Sequence, residues 1–420
     1  MSAARKIMQR IESLAKISEE PDKLTRTFAS PAMRRVNKLV GKWMREAGMK
    51  TRVDAIGNLI GHYASKKPDA KILLIGSHLD TVRDAGKFDG PLGVILAIAC
   101  VENLRRQKIR LPFAIEVVGF ADEEGVRFQT AYLGSKVFAG CFDEKNLRRK
   151  DASGISMRAA IKHFGGDPVK IKSARLNPKK LLGYIEAHIE QGPVLERKNL
   201  PIGVVTAIAG QSRFKIILTG RAGHAGTTPM NLRKDALCVA AELILAMEKS
   251  SRKKPGFVAT VGQICVEPGA SNVIPGQAAL TLDVRHQKDS VRRAACATFK
   301  KIARQIAVAR EVKLSWRLVQ ETASVPCASK LSSLLKRTAR KHQSRVVELP
   351  SGAGHDAAVM AKITPAAMLF IRCKGGVSHH PDESVKVEDV RVALAVMNDF
   401  LQSLAEKYRQ ITGQSDKIFL

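Results

Sequence analysis

The sequence predicts an α/β protein of two domains, the smaller inserted into the larger. Three observations carry this. The chain has 420 residues, beyond the roughly 250–300 at which one hydrophobic core stops growing. Apolar runs of strand length alternate with runs of helical period, and polar tips end the strands. Around Gly210 the order becomes strand–helix–strand–strand–helix–strand, the ferredoxin-like split βαβ pattern. The larger domain is therefore expected at 1–209 and 325–420, and the inserted domain at 210–324.

Each element has its own warrant. Residues 1–50 carry apolar positions at three- and four-residue spacing, which reads as helix. Ile56–Tyr63 and Lys71–Ile75 are short β-type runs, the second ending in Gly76-Ser77. Leu92–Val101 is a continuous small-apolar stretch after Gly90-Pro91, as a buried helix requires. Pro112–Phe120 is an apolar strand that stops at Ala121-Asp122-Glu123-Glu124. Residues 143–180 are basic, polar and Gly-containing, and are expected to form helices and loops over the site. Leu182–Glu190 is strand-like and turns at Gln191-Gly192-Pro193. In the insert, Arg213–Leu218, Val258–Ile264, Ala279–Val284 and Lys313–Leu318 read as strands, and Lys234–Glu248 and Ser290–Ala309 as helices.

Composition narrows the function classes. No run of about 18 apolar residues exists, so no membrane span is expected. The N-terminal stretch lacks an apolar core with a cleavage site, and Glu12, Glu19 and Glu20 do not suit an acid-poor transit peptide. Seven scattered cysteines without C-x-x-C spacing read as reduced thiols. The expected location is the cytoplasm. Seventy Lys and Arg against 39 Asp and Glu give a net charge of +31. With only 5% aromatics and basic residues spread over many segments, this reads as a solvated basic surface that steers anions, with no nucleic acid expected.

The chemistry sits where apolar runs end. His78 and Asp80, Asp89, Glu123 and Glu124, His188 and His379 all occupy such places. Imidazole nitrogens and carboxylate oxygens bind Zn²⁺, Mn²⁺ or Co²⁺. Two such ions need a bridging carboxylate and ligands on each side, and together they make water a nucleophile near neutral pH. A further carboxylate must move protons, and adjacent glutamates can divide that work. Singly, each residue also has an ordinary structural reading, as a turn or strand-end residue. Their joint occurrence at strand ends points to a metal site.

The motifs resemble the dinuclear-metal aminoacylase and carboxypeptidase family, in the branch of allantoate amidohydrolases and N-carbamoyl-L-amino acid hydrolases. The carrying segments are Gly76-Ser77-His78-Leu79-Asp80-Thr81-Val82, Asp84-Ala85-Gly86-Lys87-Phe88-Asp89-Gly90 and Asp122-Glu123-Glu124-Gly125-Val126-Arg127-Phe128. Glu190-Gln191-Gly192-Pro193, Gly223-His224-Ala225-Gly226-Thr227, Leu282-Asp283-Val284-Arg285 and Pro350-Ser351-Gly352-Ala353-Gly354-His355-Asp356 continue the match. The resemblance implies a metallopeptidase-like catalytic domain, with a central mixed sheet flanked by helices, and two divalent ions per subunit. His78 and His188 would hold one ion, Glu124 and His379 the other, with Asp89 bridging. Motif position favours His379 over its neighbour His380. Asp80 would fix the His78 tautomer and Glu123 would be the general base. The insert would be a lid and the interface of a homodimer. His224 would stabilise the oxyanion, Asn272 and Arg285 would bind a substrate carboxylate, and Gln191, Gly354 and His355 would contact the ureido end.

Within the branch, the segments around Asp89, Glu124 and His355 look most like allantoate amidohydrolases. The expected reaction is hydrolysis of allantoate, a small ureido anion, to ureidoglycine, ammonia and CO₂. N-carbamoyl-L-amino acid or β-ureidopropionate hydrolysis is the alternative. A dipeptidase or aminoacylase, or a basic polyanion-binding protein without catalysis, stands further off.

Overall fold

The computed structural model describes residues 2–412 of the chain. The first unit opens with α1 (Ala3–Ala15) and α2 (Pro31–Glu46). α2 starts where Ser30 accepts a hydrogen bond from Met33 N at 3.1 Å and Pro31 takes the first turn, both ordinary helix-start devices. Then follow β1 (Lys50–Val53), β2 (Leu59–Tyr63), β3 (Ile72–His78), α3 (Pro91–Arg106) and β4 (Ala114–Phe120). α4 (Leu133–Phe138), α5 (Met157–Phe164), β5 (Leu181–Ile189), α6 (Val194–Arg197) and β6 (Ile202–Ile208) complete this stretch.

The second unit gathers Ala207–Pro326 with Pro350–Ala353. It contains β7 (Gly210–Thr219), β8 (Gly223–His224), α7 (Ala236–Arg252), β9 (Val258–Glu267), β10 (Val273–Ile274), β11 (Gln277–His286), α8 (Asp289–Ala309), β12 (Lys313–Thr322) and β13 (Val325–Pro326). Its antiparallel sheet runs β12-β7-β11-β9. α7 and α8 cover one face around Phe299, Ile216 and Leu280. The short segment from Pro350 to Ala353 joins this unit, where Gly352 O accepts from Arg285 Nη1 at 2.7 Å.

The chain then supplies α9 (Ser329–Ala339), β14 (Val347–Ser351), α10 (Asp356–Met360), β15 (Ala366–Ile371) and α11 (Val387–Thr412). The main sheet runs β1-β2-β4-β3-β5-β15-β6. β4, β3, β5 and β15 are mutually parallel, and the outer pairings are antiparallel. The central strands are buried along their length, as expected of parallel strands covered on both faces. α1, α3, α9 and α11 share one core cluster with them. From Pro91 to Val101, α3 is buried around its circumference, which is why that stretch shows no polar face.

Two local readings are corrected. The strand expected at Ile56–Tyr63 begins at Leu59, because Asp54 Oδ1 accepts from the amides of Ile56, Gly57 and Asn58 and makes a turn there. The helical stretch 1–50 is broken between α1 and α2. There the buried Arg26 donates to Leu14 O at 3.0 Å and Ile17 O at 3.3 Å and closes the C-terminal end of α1.

Candidate metal centre at the strand ends

Parallel strands deliver the central residues to one edge of the sheet. β3 ends in His78, β4 ends just before Asp122-Glu123-Glu124, and His188 is penultimate in β5. In register, His78 lies beside Phe120 and His188 beside Phe370. Asp89 arrives from the loop before α3. Gly90, at φ 81°, starts that helix, and a Cβ there would lie 2.5 Å from the His78 ring. A glycine is what allows Asp89 and His78 to approach.

The two oxygens of Asp89 face different partners. Oδ1 is 3.5 Å from His78 Nε2 and 3.0 Å from His188 Nε2. Oδ2 is 3.2 Å from His379 Nε2, which is itself 3.5 Å from Glu124 Oε1. His380 turns away to Asp382, 3.5 Å from its Nδ1, and is 60% exposed at the side chain. His78, Asp89 and His188 form one group with ligand atoms within 4.8 Å of one another, and Asp89, Glu124 and His379 form a second. Such a set of imidazole nitrogens and carboxylate oxygens, sharing one carboxylate, fits a pair of divalent ions.

Backbone carbonyls orient the two buried rings. His78 Nδ1 is 3.0 Å from Asp80 O, and His188 Nδ1 is 2.9 Å from Ile189 O. A carbonyl only accepts, so the proton sits on Nδ1 and Nε2 is left facing Asp89. The Asp80 carboxylate lies 3.4 Å from His78 Nδ1. It also accepts from Glu123 N at 3.0 Å and Glu124 N at 3.1 Å. It therefore holds the turn that presents both glutamates.

The electrostatics separate the acids. Burial, then the charge of Glu124, pushes Glu123 well above the usual carboxylate range. Burial, then Asp89, raises Glu124 to about 7. Burial opposes ionisation of Asp89 too, yet His188, His379 and His78 hold its carboxyl well below the ordinary value. A hydrogen bond to Asp89 raises His379 to about 9. Two adjacent glutamates pushed up beside an aspartate pushed down give one site both a proton carrier and a permanent anion.

The remaining residues singled out by sequence fall in several places. Gln191 Nε2 donates to Asp89 Oδ2 at 2.8 Å, so here it faces that carboxylate. His355 is buried edge-on to His188, ring centroids 4.6 Å apart. Burial, then the His188 charge, holds its pKa well below the usual histidine value. Gly354 lies against Tyr132, whose hydroxyl would be 1.8 Å from a Cβ there. His224, Asn272 and Arg285 belong to the second unit. The first two meet through pairing of β8 with β10, and Ala225 N donates to Asn272 O at 2.9 Å. Arg285 Nε and Nη2 bind Asp283 at 3.0 and 3.1 Å.

Sequence reasoning missed the acids beneath the cluster. Glu186, fully buried, accepts from Ser77 Oγ at 2.7 Å, Tyr184 OH at 3.1 Å and Ala357 N at 3.0 Å. Asp356 accepts from Ser135 Oγ at 2.5 Å. A carboxylate inside an otherwise apolar strand was the signal for Glu186, which shares a strand face with His188.

Residues 74–403 match the model of the peptidase family M20/M25/M40. The chain belongs to this family. The matched span of the M20/M25/M40 member takes in every residue from His78 to His379 described above. A probable allantoate deiminase of Oryza sativa subsp. japonica is 41% identical, across 97% of this chain and 90% of the relative. An N-carbamoyl-L-amino acid amidohydrolase of Geobacillus stearothermophilus is 39% identical, across 97% of this chain and 100% of the relative. Among solved structures, an amidase of the hydantoinase/carbamoylase family from Burkholderia multivorans superposes with a TM-score of 0.90 at 31% identity, covering 96% of this chain and 98% of that one. This M20/M25/M40 member is a hydrolase of C–N bonds.

Proposed function

We propose that the chain hydrolyses a ureido C–N bond of allantoate, yielding ureidoglycine, ammonia and CO₂. The observation that carries a dinuclear hydrolase is Asp89, one oxygen toward His78 and His188 and the other toward His379. His78 and His188 would hold one divalent ion, Glu124 and His379 the other, with Asp89 common to both; Mn²⁺, Zn²⁺ and Co²⁺ all suit these donors. Bound there, the ions would polarise the ureido carbonyl and acidify water. Glu123 takes a proton from water and returns it to the leaving nitrogen, a task suited to a carboxyl that burial has raised.

His224 stabilises the developing oxyanion, and Arg285 with Asn272 binds the substrate carboxylate. Asp283 takes Nε and Nη2 of Arg285 and Gly352 O takes Nη1, so one N–H on each Nη is left for a substrate carboxylate. Gln191, Gly354 and His355 take the ureido end. The second unit acts as a lid and joins two copies in a homodimer. Seven free cysteines suit a reducing cytoplasm, and among the described residues no helix is long and apolar enough to cross a membrane.

The similarity to the Geobacillus enzyme supports a second reading, hydrolysis of N-carbamoyl-L-amino acids; β-ureidopropionate belongs to the same ureido-acid class. Ammonia release by Mn²⁺-loaded protein decides between the two. Release from allantoate and not from a carbamoyl panel supports the first. Release from the panel alone moves the substrate to the second, and none from either, with metal bound, removes the ureido class.

A further inference from the structure

A buried glutamate behind Asp89 has no part in the chemistry so far. Glu383 follows His379-His380-Pro381 and is 2% exposed. Its Oε1 accepts the backbone N–H of Phe88 at 2.7 Å and of Asp89 at 3.1 Å. Its Oε2 is 3.0 Å from Ser378 Oγ, which is 2.7 Å from Asp89 Oδ2. One side chain thereby reaches both the backbone of Asp89 and, through Ser378, its carboxylate. The loop before Asp89 has no strand or helix ladder of its own, so these amides depend on Glu383 for a partner. Gly86 in that loop is shaped to the same contact. A Cβ there would lie 2.3 Å from Glu383 Cβ.

We propose that Glu383 is a positioning residue that sets Asp89 in its bridging orientation. The proposal rests on the dinuclear reading above. Glu383 acts through Asp89 and Ser378, and what matters is its reach. Glutamine has the same length: its oxygen can accept both amides and its nitrogen can donate to Ser378 Oγ, which still donates to Asp89. Aspartate keeps the charge but is one methylene shorter and cannot span the gap.

The test compares the parent chain with Glu383→Gln, Glu383→Asp and Glu383→Ala. Two readouts are taken: Mn²⁺ affinity with stoichiometry, and the exchange-coupled paramagnetic resonance signal of a Mn²⁺ pair. The parent should hold two ions per chain with a coupled signal, and Glu383→Gln should stay close to it. Glu383→Asp and Glu383→Ala should bind Mn²⁺ about 10–100-fold more weakly and lose the coupling. Metal-free melting curves report folding, and if Glu383→Ala does not fold, the Gln–Asp contrast decides. Glu383→Asp behaving as the parent, or Glu383→Gln as weak as Glu383→Asp, overturns the proposal. A parent that holds fewer than two ions sinks the dinuclear reading and this inference with it. A parent that holds two, with unchanged variants, removes only the role of Glu383.

Discussion

Three imidazoles point Nε2 at one carboxylate, whose two oxygens are divided among them. Asp89 Oδ1 serves His78 and His188 while Oδ2 serves His379. Of the two adjacent histidines, His379 is the one that faces Asp89 and Glu124. His379→Ala is therefore expected to lose one ion per chain and His380→Ala none, read by metal content after gel filtration. Glu123→Gln should keep its metal and lose turnover by about 10²–10⁴-fold; turnover equal to the parent would remove Glu123 as the base. Arg285→Ala should raise KM for carboxylate substrates about tenfold or more with kcat nearly kept, the pattern of lost uniform binding. An unchanged KM would remove the clamp from the proposed mechanism. The candidate ligand residues were legible in the sequence because they stand at the ends of apolar runs. Glu383, in a polar loop, and Asp356, at the start of α10, were not, since the partners of each lie far along the chain.

Strands and their connections decide where those residues meet. β4, β3, β5 and β15 are parallel, so their carboxyl ends share one edge, the place where open α/β sheets bind ligands. The start of α3 is the tightest junction, because Gly90 lies under the His78 ring. Gly90→Ala would force a side chain into φ +81° and into that ring. It is expected to cost about 1–3 kcal/mol of stability and to weaken metal binding together, measured by thermal melts with and without Mn²⁺. A variant with parent stability and affinity would show that the junction relaxes freely. Element types were readable where period and burial agree, as in the apolar run Leu92–Val101 of α3. Element ends were not: a side-chain turn at Asp54 shortened β2, and Arg26 closed α1, both by contacts that no periodicity encodes.

The whole chain carries a charge of +31, far more than the cluster requires. Such a surface concentrates anions by long-range attraction that salt screens within about 10 Å at 0.1 M. For an anionic ureido substrate, kcat/KM should fall several-fold between about 0.01 and 0.5 M salt while kcat holds. A flat kcat/KM would leave the charge without a role in catalysis. Each of the two compact units has its own apolar core, in keeping with a length too great for one.

Sequence alone determined the α/β class, the family and the chemical inventory: histidines and carboxylates at the ends of apolar runs. These are local properties, written in spacing and residue type. Only the tertiary structure decided which oxygen of Asp89 meets which histidine, that Asp80 holds the amides of both glutamates, and that Glu383 reaches back to Asp89 from nearly three hundred residues away. The reason is physical. Hydrogen bonds across a parallel sheet and between loops depend on register and close approach, and neither is encoded in the neighbourhood of any single residue.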